Sequence, residues 1–531
     1  MKNIINKFLL IGLVSWTAFS CQDLTELNVD PNNAADVPSN MLFSGAQKKM
    51  VDYVYDLWFS GRQCLVYSQY WVQRNYTEED RYQIRESVNN NYFNALYTTL
   101  TTLDRVIELN TDEETAVVSA SYGANNNQIA AAKIMKAWLY IVMTNTWGAI
   151  PYSEANKLVE GIYYPKYDDQ QDIYAALRQE LKEASDMIDE SEPAFTTGDM
   201  IYGGDASKWK KFANSLRMRL GIHVSKVDPN WKQYISEALA DGVFESNDDV
   251  AAYHYSAAAP NECYFYINTY IDARNDFTIS RAFVNILKGQ PDTLNNKTHP
   301  WEGVLDPRLI IFAGAGITNP NTNFGQPYGL PTSLSSAFRS TAPNWYNIPP
   351  CHLAPDFAIP LMTYAEVEFI KSEYNGFSQA EYEAGVEASI DYWSGTSGEA
   401  VDAADYLAAI SAAGVDAEKL AIQKYIDLYI NGTEGWTEIR RTSYPSQLIS
   451  PGDITAIRSD EGHSGEIVKF EPLEDTKGLI ISRVKYPTSE STLNSNNFKA
   501  AVAKLNDGTN NYYTKMFWDV RTSADSHPEN K

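Results

Sequence analysis

The 531-residue chain has few basic residues for its length. It carries 43 lysines and arginines against 68 aspartates and glutamates, which gives a formal net charge of −25 at pH 7. Proteins that bind nucleic-acid backbones need basic patches that neutralise the phosphates. The charge balance therefore argues against a nucleic-acid partner, although it does not identify a ligand.

The chain also lacks a long apolar run. No segment reaches the roughly 18 uncharged apolar residues that a membrane-spanning helix needs. The uncharged run at 8–19 is too short to span a bilayer, and it follows Lys2 and Lys7, as in a secretory signal. Ser20 and Cys21 then resemble the lipobox of bacterial lipoproteins. We therefore expect 1–20 to be a cleaved signal peptide, Cys21 to carry lipid, and the polar residues 21–38 to form a linker.

Motifs of catalysis and metal binding are missing as well. The six histidines include no pair three or four residues apart, and the phosphate-binding loop, the nucleophile elbow and the EF-hand pattern do not occur. The four cysteines, at 21, 64, 263 and 351, include no pair at metal-ligand spacing. With 68 acids, chance alone supplies carboxylate pairs. The sequence therefore predicts a protein that is not an enzyme and that has no cofactor and no metal ligand set.

What the chain does contain is helical periodicity. Apolar residues recur at spacings of three and four in five segments, which predicts amphipathic helices. These segments lie at 93–107, 130–141, 173–188, 209–220 and 422–429. The segment 364–374 is apolar on more than one side, so we expect a buried helix there. The predicted fold is mostly α-helical.

The periodicity fades between about 242 and 355, where proline, glycine, asparagine and threonine cluster. A second turn-rich zone covers about 444–497. Long stretches without regular structure inside a compact protein are usually functional. We therefore expect 242–355 to be a loop-rich insertion that carries recognition, between helical scaffold regions at about 39–241 and 356–445.

Aromatic residues are abundant, with 35 tyrosines and 12 tryptophans. Core packing accounts for most of them, but three clusters lie outside the helical stripes. The clusters are Tyr67, Tyr70, Trp71, Tyr76 and Tyr82 with Arg74 and Arg81; Tyr253, Tyr255, Tyr264, Tyr266 and Tyr270 with Arg274 and Asp276; and Trp301, Phe324, Tyr328, Trp345 and Tyr346. Aromatic faces with a few polar groups are typical of ligand sites. The candidate ligand-binding residues are Trp71, Arg81, Tyr264, Tyr266, Trp301 and Trp345, and we expect the site where the cluster around Trp71 meets 242–355.

Seven strings occur in an order that resembles one family over nearly the whole chain after Cys21. They are WGAIPYSEA (147–155), WKKFANSLRMRL (209–220), YAEVEFIK (364–371), QKY (423–425), WTEIRRTSYP (436–445), RVKYPTSE (483–490) and FWD (517–519). The chain resembles the SusD/RagB family of nutrient-binding outer-membrane lipoproteins. We interpret these strings as scaffold, with Arg217, Arg219, Arg440 and Arg441 pairing with acids such as Glu366 or Glu373.

The resemblance implies a fold and a role. The fold would be one SusD-like domain over 39–531, built from paired antiparallel, tetratricopeptide-like helices with a loop-rich cap. The protein would be anchored to the outer membrane, facing outward, and would act with a SusC-like TonB-dependent transporter. The ligand would be an oligosaccharide, or alternatively an oligopeptide handled by the same complex. A surface glycosidase is the less favoured alternative.

Overall fold

The computed structural model describes residues 37–274, 276–313, 325–341 and 354–522. The α-helices, in chain order, are α1 (Ser39–Val54), α2 (Cys64–Tyr67), α3 (Glu86–Thr111), α4 (Glu113–Ser119), α5 (Asn125–Trp147), α6 (Gln170–Met187), α7 (Ala206–His223), α8 (Trp231–Ala240), α9 (Tyr264–Tyr266), α10 (Arg281–Leu287), α11 (Arg308–Ala313), α12 (Thr332–Thr341), α13 (Tyr364–Tyr374), α14 (Gln379–Ser397), α15 (Ala404–Ala413), α16 (Ala417–Asp427), α17 (Gly432–Thr442), α18 (Glu490–Leu493) and α19 (Ser495–Ala503). The predicted fold class, mostly α with paired helices, is confirmed.

The first half of the chain is a series of helices packed on one another. α1 packs on α3, α3 on α5, α5 on α6, α6 on α7 and α7 on α8. α3 packs against both α1 and α5. The residues of its predicted apolar stripe, Phe93, Leu96, Leu100 and Leu103, are buried. α5 is buried almost all round, which is typical of a helix in the centre of a helical core.

The second helical region is centred on α13. This helix contacts α14, α16 and α7, and it is buried on more than one side, as the sequence predicted. The Thr363 hydroxyl accepts a hydrogen bond from the Glu366 N–H and so caps its first turn. α17 packs on α2 and α5, which joins the two helical regions.

Within the described residues the strands form four small antiparallel ribbons. They are β1 (Trp71–Gln73), β2 (Ile150–Pro151), β3 (Tyr167–Asp168), β4 (Ala251–His254), β5 (Phe277–Ile279), β6 (Ala358–Met362), β7 (Ile454–Ile457) and β8 (Ile467–Lys469). The pairs are β1 with β5, β2 with β3, β4 with β6, and β7 with β8. In the first ribbon Trp71 lies opposite Ile279, so the segment around Trp71 does meet the 242–355 region.

The 242–355 region contains more regular structure than its composition indicates. Its described part holds β4, β5 and the short helices α9 to α12. None of these helices exceeds ten residues, and a helix this short is below the length at which periodicity becomes visible in a sequence.

Three of the four scaffold arginines pair with acids. Arg219 binds Glu366, Arg441 binds Glu373, and Arg217 binds Asp241. Arg440 departs from the prediction. Its guanidinium donates to the Ser482 carbonyl and lies 3.5 Å from the centroid of the Trp436 ring. Burial lowers its pKa to about 9.

Two cysteines lie in the described part of the chain, and both are free and buried. Cys64 begins α2 and Cys263 precedes α9. Burial raises the pKa of each thiol to about 12. Cys64 and Cys263 are therefore buried, unreactive thiols, whereas Cys21 and Cys351 lie outside the described residues.

No helix among the described residues is both long and apolar enough to pass through a lipid bilayer.

Candidate ligand-binding surface

Five side chains from two distant segments form what we call the aromatic surface: Trp58, Tyr264, Tyr266, Tyr270 and Arg274. Trp58 is 37% exposed and Tyr270 is 55% exposed. The Tyr266 and Tyr270 rings lie 5.4 Å apart between centroids, at 45° to each other. Burial raises the pKa of Tyr264, and the side chains of Asn268 and Trp58 oppose that rise. Large aromatic rings that are partly exposed and lie beside polar groups are typical of ligand sites.

Trp58 is held by a turn and by two arginines. The buried Asp56 carboxylate accepts hydrogen bonds from the Phe59 N–H at 2.6 Å and the Ser60 N–H at 2.9 Å, which fixes the turn. The guanidinium carbons of Arg62 and Arg274 each lie 5.0 Å from the centroid of the Trp58 ring. Such cation–π contacts restrain the indole before any ligand arrives.

The two arginines are themselves fixed by carboxylates. Arg274 donates two hydrogen bonds to the same Asp276 oxygen, at 2.9 and 2.5 Å. Arg62 is buried and lies 3.6 Å from Asp276 and 3.5 Å from Glu79. The cations beside Trp58 are therefore neutralised, and their positions are set by the scaffold.

The tyrosines lie on an irregular helical segment. α9 continues directly into a π-helix at Ile267–Ile271, and Ala273 then has a φ of 52°. π-helices are rare and often occur at functional sites. A non-glycine residue with positive φ is strained, and such strain is more frequent near sites as well. The Asn268 side chain donates to the Tyr264 carbonyl at 3.1 Å and so helps to hold the turn.

The structure corrects the predictions for Trp71 and Trp301. Trp71 is fully buried, packs on Phe265 and Phe277, and donates its indole N–H to the Tyr429 hydroxyl at 3.1 Å. Trp301 is only 5% exposed. Its ring packs on His299, with 5.1 Å between the ring centroids. Neither ring offers a free face for a ligand, so core packing accounts for both.

The other candidate residues have different positions. Tyr264 and Tyr266 belong to the aromatic surface and are partly exposed. Arg81 is partly exposed and ends the 3₁₀ turn Glu79–Arg81, whose Glu79 contacts Arg62. Trp345 lies outside the described residues.

Sequence reasoning missed Trp58 and Arg62. Both lie between α1 and α2 and outside the three aromatic clusters that the sequence analysis singled out. The signal that could have found them is the turn composition of Asp56, Ser60 and Gly61, which places an aromatic and an arginine in a loop rather than in a helix.

A second cluster, His223, Glu434 and Glu438, brings together three groups that could hold a metal ion. His223 Nε2 lies 2.7 Å from Glu434 Oε1, and the carboxylates are surrounded by Arg219, Lys424 and Arg441. Burial would raise the pKa of Glu434, but His223 and Arg219 hold it at about 2. Cations already occupy the positions around these carboxylates, so the residues fit an internal ion-pair network and do not fit a metal centre.

The comparison with protein families decides the classification. A family model described as starch-binding and associating with the outer membrane matches residues 31–461, which is more than half of the chain. The chain belongs to the SusD-like family. A second model, described as SusD and RagB outer-membrane lipoprotein, matches residues 411–519 of this SusD-like chain. The predicted family is therefore confirmed, and proteins of this family are binding proteins rather than enzymes.

Solved structures agree with the family. A chitin-binding SusD homologue from Flavobacterium johnsoniae is 22% identical, with a TM-score of 0.70, and the match covers 90% of this chain and 99% of that one. A SusD homologue from Parabacteroides distasonis is 22% identical, with a TM-score of 0.71 and coverages of 91% and 98%. At these identities the likeness shows the fold alone. No curated protein matches the chain.

Proposed function

We propose that this SusD-like chain binds an oligosaccharide at the aromatic surface and passes it to an outer-membrane transporter. The observation that carries the proposal is the aromatic surface itself, where partly exposed rings lie beside carboxylate-paired arginines. The chain also belongs to a family that is described as starch-binding. The C–H faces of sugar rings stack on aromatic faces, while guanidinium and carboxylate groups bind hydroxyls. The reach of such a surface suits an oligomer better than a small enclosed solute.

The restraint on Trp58 supports a binding role. A ring that is already positioned by Arg62 and Arg274 loses little conformational freedom when a ligand stacks on it, and this preorganisation raises affinity. Arg274 is paired with Asp276, and Arg62 lies beside both Asp276 and Glu79, so each guanidinium has a carboxylate partner that offsets its attraction for an anionic ligand. These features favour a neutral or weakly charged glycan over an acidic one.

The anchor and the partner complete the proposal. Lipid on Cys21 would hold the protein at the outer membrane, facing outward, with 21–38 as the linker. A SusC-like TonB-dependent transporter would receive the glycan. Fractionation of cells that express Cys21→Ala tests the anchor, since the variant should leave the membrane fraction. Pull-down from detergent-solubilised membranes tests the partner, and recovery of the protein alone would contradict it.

The experiment for the site compares three variants of the full mature chain. Trp58→Ala and Tyr270→Ala each remove a ring from the aromatic surface, whereas Tyr164→Ala removes an exposed ring outside it and serves as the control. Binding is measured by calorimetry against oligosaccharides and, separately, oligopeptides, after circular dichroism shows each variant folded. Loss of one stacking ring should weaken binding roughly 5- to 150-fold.

The outcomes separate the alternatives. Unchanged glycan affinity in both Trp58→Ala and Tyr270→Ala would place the site elsewhere. Binding of oligopeptides but of no glycan would show that the ligand class is wrong and favour the peptide alternative. Cleavage of any bound oligomer in proportion to protein concentration would overturn the assignment as a binding protein.

A further inference from the structure

A long groove runs along the outer face of α3, away from the residues of the aromatic surface. Its floor is formed by α3 from Asn94 to Arg105, and its walls come from the 151–165 loop and from α18. The groove has a volume of about 860 Å³, which lies within the range of about 300–1,000 Å³ typical of ligand sites. At about 1.5 Å of helix rise per residue, this stretch of α3 is about 16 Å long. We call it the α3 groove.

The floor of the α3 groove combines apolar groups with hydroxyl oxygens that can accept hydrogen bonds. The hydroxyls of Thr98, Thr101 and Thr102 donate to the carbonyls four residues earlier in the helix, at 2.8, 3.1 and 3.2 Å. Because each hydroxyl hydrogen is used in this way, the oxygen retains acceptor capacity. Methyl groups with acceptor oxygens between them match a ligand that alternates C–H faces with hydroxyl donors.

The walls are preformed. The Tyr97 hydroxyl donates to the Pro151 carbonyl at 2.6 Å, which ties the helix to the loop opposite. Asn494 donates to the Pro165 carbonyl at 2.7 Å, which ties α18 to the same loop. Tyr163 lines the groove yet is 69% exposed, so packing does not account for its position. A large ring held in water at the rim of a formed groove is available for stacking.

The charges of the α3 groove are few and paired. Arg105 and Glu490 are its charged lining residues. Arg105 binds Glu108 at 2.8 Å, and Glu490 accepts a hydrogen bond from the Tyr167 hydroxyl at 2.8 Å. Burial raises the pKa of Glu490. The cation of the groove is paired with an acid and its carboxyl group accepts a tyrosine hydroxyl, so the groove favours a neutral occupant.

The backbone of the groove argues against a peptide. An extended peptide that adds a strand needs hydrogen bonds to an exposed sheet edge. Here the floor is a helix whose N–H and C=O groups bond within the helix. The two wall prolines have no N–H, and their carbonyls already accept from Tyr97 and Asn494.

We propose that the α3 groove is a second binding site of this protein and that it takes a segment of a neutral oligosaccharide. Tyr163 supplies the stacking face, and the threonine oxygens of α3 accept hydrogen bonds from sugar hydroxyls. The inference does not rest on the aromatic surface, because the two sites share no residue.

The test uses the full mature chain in a Trp58→Ala background, so that the aromatic surface does not dominate binding. The probes are hexasaccharides of starch, chitin and cellulose, together with an uncharged hexapeptide. Tyr163→Ala removes the stacking ring, and Thr98→Arg fills the groove from an exposed helix position. Tyr164→Ala is the matched control, because Tyr164 is 68% exposed and does not line the groove.

Binding is measured by calorimetry and by saturation-transfer NMR on the probe. We expect at least one hexasaccharide to bind, Tyr163→Ala to weaken it roughly tenfold, Thr98→Arg to abolish it, and Tyr164→Ala to leave it unchanged. Equal affinities in Tyr163→Ala and Tyr164→Ala for every hexasaccharide, or the absence of binding by all three, would overturn the proposal. Groove-dependent binding of the hexapeptide alone would overturn the ligand class.

Discussion

Replacing Glu366 by glutamine should destabilise the protein strongly, because it leaves a buried guanidinium without its partner. Arg219 donates to Glu366 through Nε at 2.8 Å and through Nη2 at 2.6 Å, and both side chains are excluded from water. Burial alone would lower the pKa of Arg219, but Glu366 and Glu434 raise it above its usual value. Breaking a buried ion pair by removing one partner costs about 3–5 kcal/mol.

The melting temperature converts this energy into a measurement. Unfolding entropy is about 2 cal/mol/K per residue, which gives about 1 kcal/mol/K for a chain of this length. A loss of about 3–5 kcal/mol should therefore lower the Tm of Glu366→Gln by about 3–5 °C. Differential scanning calorimetry on the purified mature chain is the assay.

Two further variants sharpen the result. Asp186→Asn breaks the exposed Lys182–Asp186 pair on α6 and should cost under about 0.5 kcal/mol, which is a Tm change of less than about 1 °C. The double variant Arg219→Met with Glu366→Leu removes both charges and should recover part of the loss, since the buried Glu434 then lacks Arg219. If Glu366→Gln melts within 1 °C of Asp186→Asn, the reasoning about the buried pair is refuted.

Three other variants test separate features. Trp71→Ala should lose about 3–5 kcal/mol of stability in denaturant unfolding, because the ring is core; unchanged stability would contradict its burial. Gly204→Ala should lose more than about 1 kcal/mol, since Gly204 has a φ of +92° and a Cβ there would lie 1.8 Å from the Phe195 carbonyl oxygen; a neutral result in thermal melts would count against that geometry. Glu434 has a folded pKa of about 2 against an ordinary 4.5, so its contribution is complete above pH 4.5 and is lost as the pH falls to 2. Wild type should therefore lose more stability than Glu434→Gln over that interval, and parallel pH profiles would disprove the coupling.

The helical scaffold could be predicted because its signal is local. The spacing of the apolar residues alone predicts α3. All four of its stripe residues are buried in the structure: Phe93, Leu96, Leu100 and Leu103. The pairing of Arg219 with Glu366 also followed from the rule that buried charges need partners. The first inference depends on a single segment, whereas the second depends only on the general need of a buried charge for a partner, which does not depend on distance along the chain.

The candidate site was harder to predict because exposure depends on tertiary pairing. Trp71 is buried by Phe265, Phe277 and Tyr429, none of which lies near it in the sequence. Trp58 has the same local appearance as a core residue, yet it remains partly exposed between Arg62 and a distant Arg274. Arg440 was expected to pair with an acid. Its guanidinium instead donates a hydrogen bond to a backbone carbonyl and packs on a tryptophan ring.

The β1–β5 ribbon also bears on the order in which the protein folds. It pairs Trp71 with Ile279, roughly 200 positions apart, and the aromatic surface joins segments that are just as far from each other. Contacts between distant segments form slowly, since the entropy of closing the loop is lost before the contact stabilises anything. The helical pairs α1 to α8 need only neighbouring segments and can form first. During refolding, ligand binding should therefore return in a late phase, after most of the helical signal has recovered.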